Sequence, residues 1–494
     1  MRKLTDILRD IPVARTVGKF PPEISNMQFD SRQVKKGDLF VAVRGTQTDG
    51  HRYIGTAAER GAALIVCEEL PELISKETSY LQVKNSAEAL GRMAANYYDR
   101  PSEQLTLIGV TGTNGKTTTT TLLFDLFSDL GYKCGLLSTV ENRIGQKVLP
   151  STHTTPDAVA MNELLRGMVD SGCDYCFMEV SSHAVHQHRI TGLHFAGGVF
   201  TNITHDHLDY HGTFRAYIEA KRMFFDNLPT SSFALVNADD RNGTVMTQQT
   251  TARRLSFALR RPADYKGKIL DNSPSGLHLV INEREFFARL IGAFNAYNLL
   301  AAYGVAVELG MDETEVLTAL SQIRPAAGRF EQVTDTSGRQ LSGIVDYAHT
   351  PDALEKVIQT ANATRPGQAR LITVVGCGGD RDRTKRPKMA KVAASGSDQV
   401  ILTSDNPRTE DPNLILREME AGIPAELQRR VLTIADRAQA IRTAVRLAQP
   451  GDLILVAGKG HETYQEIAGV RHPFDDREEL RKAFEELIET ESQK

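Results

Sequence analysis

From residue 29 to 100, short β-rich apolar runs ("DLFVAV", "ALIVCE", "YLQV") alternate with the helical stretches "YIGTAAERGA" and "SAEALGRMAANYYDR". Strand-length runs separated by amphipathic segments predict a small α/β unit. "RPSEQ" at 100–104 reads as a linker. From "LTLIGV" at 105–110 the order becomes strand, glycine loop, helix, strand, and the later runs "YCFMEV", "AGGVFTNI" and "FALVNA" are again set apart by helix-length sequence. That alternation predicts a parallel, doubly wound sheet. Short alternating segments near 255–292 predict antiparallel strands appended to it, followed by a helix through "AYNLLAAYGVAVELG". The polar stretch around 324–331 reads as a second boundary, and "GIVDYA", "RLITVVGC", "QVILTS" and "DLILVAG" then repeat the α/β theme. The expectation is an α/β protein of three domains: a small N-terminal α/β unit (1–99), a central parallel-sheet unit (100–328) and a C-terminal Rossmann-like unit (329–494).

Length agrees with this division, since 494 residues exceed what one core supports. A net charge of −4 argues against general binding to nucleic acid or an anionic membrane, so an anionic ligand has to be caught by local clusters. No run of 18 apolar residues occurs, and "MRKLTDILRDIPVA" is too interrupted by charge for a signal peptide. Neither repeats nor low-complexity tracts are found. Five sparse cysteines point to a reduced cytoplasm; Cys173 and Cys176 form a CxxC without a second pair and read as buried strand residues.

Candidate chemistry begins at "LTLIGVTGTNGKTTTTTLLFDLF". A buried strand, then Gly112, Thr113, Asn114, Gly115, Lys116, Thr117 and Thr118, then a helix, is the layout of a phosphate loop. Glycines turn backbone N–H groups toward phosphate oxygens, and the helix N-terminus adds its dipole. Lys116 is placed to reach the β/γ-phosphates of ATP and Thr117 to ligate Mg²⁺. Val110 stands where the strict motif has glycine, so the spelling is the shorter TGTNGKT. "FMEV" ends an apolar strand on Glu179, the position of a metal-binding acid. "TNITHDHLDYHG" crowds His205, Asp206, His207, Asp209 and His211 into seven residues; zinc comes first to mind, but Mg²⁺ with ATP needs only one or two protein ligands. Lys221, near helical spacing from Tyr217 and Phe224 or Phe225, reads by itself as a surface lysine.

Nine motifs then fall in one order: TGTNGKT, EVSSH with QHR, TNITHDHLDYHG with EAK, GAFNAYN, GRFE, DYAHTPDAL, GCGGDRDRTKRP, DNPR and GKGHE. Together, from about residue 29 to 465, they resemble the Mur ligases, and among these the members that add diaminopimelate. The resemblance implies an N-terminal domain holding a UDP-sugar, a central ATPase and a C-terminal domain bringing the amino acid. It implies ATP-dependent ligation, with Mg²⁺, of meso-2,6-diaminopimelate to the D-Glu γ-carboxylate of UDP-MurNAc-L-Ala-D-Glu through an acyl phosphate, in cytoplasmic peptidoglycan precursor synthesis. Phosphorylation turns a poor electrophile into one with a leaving group.

Carried residue by residue, the resemblance assigns catalysis to Lys116, Glu179, His207 and Lys221. Thr117 and Glu179 would bind one Mg²⁺ and His207 a second, beside a carbamylated Lys221 whose modification replaces a cation with an anion. Asn295 and Asn298 would lie near adenine, Arg329 near the phosphates and Asp346 near the ribose. Ser31 would touch the uridine diphosphate by the resemblance, although the sequence alone favours a strand-terminal turn for Ser31–Arg32. Thr154, Thr155, Ser181, Gln187 and Arg189 would hold the muramoyl-peptide. His186 departs from the family pattern.

"TSDNPRTEDP" is the segment expected to choose the amino acid. The planar guanidinium of Arg408 suits the second carboxylate of diaminopimelate, which lysine lacks. Asp405 and Asn406 would face its polar atoms and Pro407 would fix the turn. The resemblance adds Arg381 for the other carboxylate, with Gly458 and Glu462 at the distal amine. The plain alternative is that Arg408 pairs with Glu410 or Asp411 on the surface. A P-loop hydrolase or kinase, a nucleotide switch and a lysine-adding ligase are the competing functions. A monomer without nucleic-acid partners or membrane insertion is expected.

Overall fold

The computed structural model of the protein describes every residue except 46–47, 152–153, 366 and 493–494. Its chain builds three main sheets in succession, within residues 15–82, 106–288 and 331–457. The first has five strands, of which Met27–Gln28, Leu39–Val41, Leu64–Cys67 and Ser79–Gln82 run parallel, with Arg15–Val17 antiparallel at one edge. Alternation decides its two faces: Leu39, Val41, Leu64 and Val66 enter one core, Phe40, Ile65 and Cys67 the other.

The central sheet has eleven strands. Cys134–Leu137, Tyr175–Glu179, Thr106–Thr111, Gly197–Phe200, Phe233–Asn237, Arg253–Ala258 and Tyr265–Ser273 are parallel neighbours in that order. Antiparallel strands Gly276–Ile281 and Arg284–Ala288 follow, so the antiparallel arrangement expected near 255–292 begins only there, Arg253–Ala258 and Tyr265–Ser273 having joined the parallel order. Helix Lys116–Asp129 packs with helix Ala293–Glu308 on one face, and helix Phe214–Asp226 covers the other. The third sheet has six strands, with Ser342–Asp346, Leu453–Ala457, Leu371–Cys377, Gln399–Ser404 and Val431–Thr433 parallel. Parallel strands covered on both faces are apolar runs rather than alternating ones, which is how these segments read.

Two further sequence expectations change. Residues 100–104 form no free linker: Pro101–Glu103 is a 3₁₀ turn, Pro101 and Ser102 are buried, and Ser102 Oγ accepts from the His194 N–H at 3.0 Å. The turn packs against helix Ala158–Asp170, and Arg166 of that helix donates to Gln104 Oε1 at 3.2 Å, a long-range contact that the local composition does not show. Cys176 lies in a strand, but Cys173 sits in the turn before it; both are buried free thiols whose burial raises their pKa.

Candidate active site

The phosphate loop leaves strand Thr106–Thr111 at the point where the central strand order reverses, with later strands on either side. Gly115 has φ 86°, and a Cβ there would stand 2.6 Å from Asn298 Oδ1, so glycine is required by conformation and by space. Before any ligand is considered, the loop is already tied down. Asn202 Oδ1 accepts from the Asn114 N–H at 3.0 Å, Thr113 Oγ1 meets Tyr217 Oη at 3.0 Å, and Lys116 Nζ donates to the carbonyls of Gly112 and Thr113 at 2.9 and 2.8 Å. Burial pushes the Lys116 pKa down, opposed by the Glu179 and Asp206 carboxylates.

Lys221 is not a surface residue. Its side chain is buried under the loop, donating to Gly112 O at 2.9 Å with Nζ 4.9 Å from the Tyr217 ring. Burial first, then the Lys116 cation, holds its pKa well below the usual lysine range. The two lysines share the Gly112 carbonyl, a crowding of cations that calls for anions. Glu179, also buried, ends its strand facing the same space and accepts from the Thr139 N–H at 2.7 Å and its hydroxyl at 3.2 Å. Among the described residues no cation pairs with it within 4 Å. A buried carboxylate without a paired cation, lining one cleft with the Thr117 hydroxyl, is a hard-oxygen set suited to Mg²⁺.

The histidine-rich loop divides its residues. Asp206 is buried and lies 3.4 Å from His207 Nε2, whereas His205 and Asp209 are exposed. His207 packs edge-on against His183; its side chain remains 44% exposed, and desolvation of the ring by its neighbours lowers its pKa. His211 bonds Ser182 Oγ at 2.9 Å instead of facing His207 as a co-ligand. Among the described residues, no three of His, Cys, Asp and Glu converge as a metal-holding group.

A single cleft of about 1350 Å³ connects these groups to the third sheet. Thr113 to Thr118, Glu179, His207, Lys221, Asn298, Arg329 and Asp346 line its nucleotide end; Thr154, Thr155, Ser181 and Arg189 line one flank. Gly112 and Asn295 stand behind that lining, Asn295 accepting from the Asn298 amide at 2.9 Å. Arg329 crosses from the third sheet's side to bond Thr117 Oγ1 at 2.9 Å, its guanidinium 4.5 Å from the centre of the Tyr347 ring. Asp346 spends its carboxylate on the Phe330 and Ala348 N–H groups, both at 2.7 Å, which sets the course of the chain around Arg329.

At the far end stand Arg381, Asp405, Asn406, Arg408, Gly458 and Glu462. Arg408 pairs with neither Glu410 nor Asp411. Glu410 is taken by Arg386, at 2.7 and 3.0 Å, and Asp411 caps the helix Pro412–Glu420. Arg408 instead donates to Gly379 O at 2.7 Å and faces the cleft. Gly458 has φ 121°, and a Cβ on it would lie 2.6 Å from Asp405 Oδ2. Pro407 is buried behind the lining. Burial, and then Asp405, raises the pKa of Glu462.

Two candidates lie outside the cleft. Ser31 opens a 3₁₀ turn in the first unit, capped by Asp30, whose carboxylate also grips Arg32 at 2.8–3.2 Å. Gln187 serves Arg189, accepting at 2.6 and 3.0 Å, while Arg189 donates to Thr155 O at 2.9 Å. His186 meets Tyr210 Oη at 2.9 Å, which places this departure from the family pattern among the contacts of Gln187. Thr139, Asn202, Tyr217, Tyr347 and Lys385 were not anticipated, although Asn202 sits inside "TNITHD" and Lys385 inside "DRTKRP".

A phosphate loop and a polar, carboxylate- and guanidinium-lined pocket sharing one cleft are the parts of an enzyme that activates one substrate with a nucleotide and joins a second to it. The chain belongs to the Mur ligase family: residues 23–98 match the Mur ligase family catalytic domain, 110–306 the Mur ligase middle domain and 328–460 the Mur ligase glutamate ligase domain. It is similar to the UDP-N-acetylmuramoyl-L-alanyl-D-glutamate–2,6-diaminopimelate ligase of Cytophaga hutchinsonii, 55% identical over 476 residues, covering 96% of this chain and 97% of that one. The protein of the same name from Parabacteroides distasonis is 54% identical, covering 98% and 99%. A solved structure of a ligase of that name, 34% identical, superposes with a TM-score of 0.68 over 99% of both chains.

Proposed function

We propose that this protein joins meso-2,6-diaminopimelate by an amide bond to the D-Glu γ-carboxylate of UDP-MurNAc-L-Ala-D-Glu, with hydrolysis of ATP to ADP and phosphate. The observation that carries this reading is the continuity of the cleft: the phosphate loop and the Arg408 pocket open into one space. The relatives named for the same reaction, above 50% identity over nearly their whole length, support it.

In this reading Lys116 and Arg329 meet the ATP phosphates from opposite walls, one from each sheet. Asn298, backed by Asn295, faces the base, and Asp346 the ribose. Thr117, Glu179 and His207 would hold Mg²⁺, which supplies charge neutralisation on the transferring phosphoryl group. The depressed pKa of Lys221 favours a neutral amine, the form that adds CO₂ to give a carbamate, and the uncompensated Lys116 beside it favours the resulting anion. Thr154, Thr155, Ser181 and Arg189 flank the place where the glutamyl carboxylate would be phosphorylated, Gln187 steadies Arg189, and Ser31 marks the distant uridine end. Arg381 and Arg408 would receive the two carboxylates of diaminopimelate, with Asp405, Asn406, Gly458 and Glu462 about its distal amine. The segregation of the sheets supports domains at 1–99, 100–328 and 329–494. A cytoplasmic location belongs to the same reading, since its substrates are ATP and a nucleotide-linked sugar.

The test offers purified protein UDP-MurNAc-L-Ala-D-Glu, ATP and Mg²⁺ with meso-diaminopimelate, L-lysine or L-ornithine in parallel, following ADP release and the ligated product. ADP release is expected to depend on diaminopimelate. Equal use of lysine would overturn the specificity, and ADP release indifferent to any amino acid would overturn the ligase reading in favour of a hydrolase.

A further inference from the structure

Lys459 follows strand Leu453–Ala457 and is completely buried, an expensive place for an ammonium unless it is fully partnered. Nζ donates to Asn406 Oδ1 at 3.0 Å and to Glu462 Oε2 at 3.1 Å. The Asn406 amide closes the triangle, donating to the same Glu462 Oε2 at 2.7 Å, while Asn406 Oδ1 also accepts from the Glu466 N–H at 2.9 Å. The Tyr464 ring centre lies 5.5 Å from Nζ on the open side. Lys459 itself does not line the cleft, but Asn406 and Glu462 do. Only one Glu462 oxygen is engaged; among the described residues Oε1 has no hydrogen-bond partner, on a side chain 16% exposed to the cleft. Asp405, on the neighbouring loop, faces the same space.

We propose that Lys459 is a positioning residue for the amino-acid pocket, locking Asn406 and aiming the second oxygen of Glu462 at the ligand. This inference rests on the reading that the pocket takes an amino acid. Its logic is charge and direction. Two carboxylates, Asp405 and Glu462, against one buried ammonium leave a single net negative charge, which matches one ligand ammonium. Without Lys459, the carboxylates repel across a low-dielectric pocket, and Glu462 swings away or takes a proton. The first removes the acceptor for the ligand amine and the second removes its charge. The Lys459 ammonium hydrogen-bonds Asn406 and Glu462, and its loop meets the nucleotide end through the backbone, the Gly458 N–H donating to Asp346 O at 3.0 Å, so the nucleotide end should not respond to loss of the side chain.

The experiment measures KM for diaminopimelate, ATP and the UDP-precursor in Lys459→Met, Glu462→Gln and the double variant. Lys459→Met should raise KM for diaminopimelate at least about 10-fold, the scale of a lost charged hydrogen bond, and move the other two by less than about 2-fold. The double variant should match Glu462→Gln alone, because a residue that acts through Glu462 has nothing left to act on. A rise in all three KM values together, or penalties that multiply in the double variant, would mean a general structural role and overturn the proposal. Lys459→Gln, which keeps a donor without the charge, serves if the Met variant fails to fold, and should fall between the wild type and full loss. A wild-type protein that ligates no amino acid would remove the underlying reading instead, an outcome recognisable before any variant is made.

Discussion

Arg408 holds a left-handed backbone, φ 52°, which costs a non-glycine residue about 1 kcal/mol or more. The hairpin Tyr464–Pro473 offsets that cost: Arg408 N–H donates to Glu466 O at 3.0 Å, and Ala468 N–H donates to Arg408 O at 2.7 Å. Gln465 Nε2 adds a bond to Asp405 O at 2.8 Å. The turn that aims the guanidinium is therefore built by a segment about sixty residues away, not by Pro407 alone. Because Glu410 is engaged by Arg386, Arg408 holds the Gly379 carbonyl and faces the cleft, where the proposed reading gives it a ligand carboxylate. Arg408→Ala should cost about 2–5 kcal/mol of diaminopimelate binding, at least about 30-fold in KM, with KM for ATP barely changed. Preference over lysine should collapse with it. Steady-state kinetics with both amino acids check this; a variant that keeps its affinity and still rejects lysine removes Arg408 as the specificity residue.

Among the elements, the C-terminal helix Asp476–Ser492 reaches the site through one ion pair. Arg437 and Asp476 are both buried and joined by two bonds of 2.7 Å. Two of the three remaining guanidinium hydrogens go to Ser404 O at 3.3 Å and Ala457 O at 3.1 Å, the last residues of the two strands that deliver the Asp405 and Lys459 loops. The helix thus braces the carboxyl ends of the sheet from behind. Removing one member of a buried pair leaves the other uncompensated, typically at about 3–5 kcal/mol. Asp476→Asn should lower the urea midpoint accordingly and loosen diaminopimelate binding before ATP binding. An unchanged midpoint would show that the pair contributes little.

At the scale of the molecule, the phosphate loop and the amino-acid loops belong to different sheets, so the reaction depends on how closely the two units meet. Among the described residues they touch through sparse polar contacts, Asn114 Nδ2 to Asp352 Oδ2 at 3.1 Å, Arg329 to Thr117, Gln332 Nε2 to Pro274 O at 3.3 Å and Lys385 to Asp206 at 3.9 Å, beside an apolar seam where Ile291 and Phe294 join the third unit's core. Sparse polar contacts across a cleft permit relative motion, and an acyl phosphate has to be kept from water. Binding of an ATP analogue together with the UDP-precursor should reduce the radius of gyration in small-angle scattering. An unchanged radius would argue that the cleft is already closed.

The sequence by itself determined what depends on neighbours along the chain. The apolar runs predicted the parallel strands, TGTNGKT between strand and helix predicted the phosphate loop, and the order of nine motifs carried the family. Those features follow from periodicity and local backbone chemistry, which act within a few residues. Burial and pairing between distant segments do not. Lys221 reads as a surface lysine until helix Phe214–Asp226 packs it against Gly112, 109 residues earlier. Lys459 is one basic residue in a glycine-rich motif until Asn406 and Glu462 enclose it, and Pro101 is part of a polar linker until a helix covers it. Desolvation and partner identity are properties of the packed molecule, so only the tertiary structure decided which of these charges are exposed, which are paired and which face the cleft.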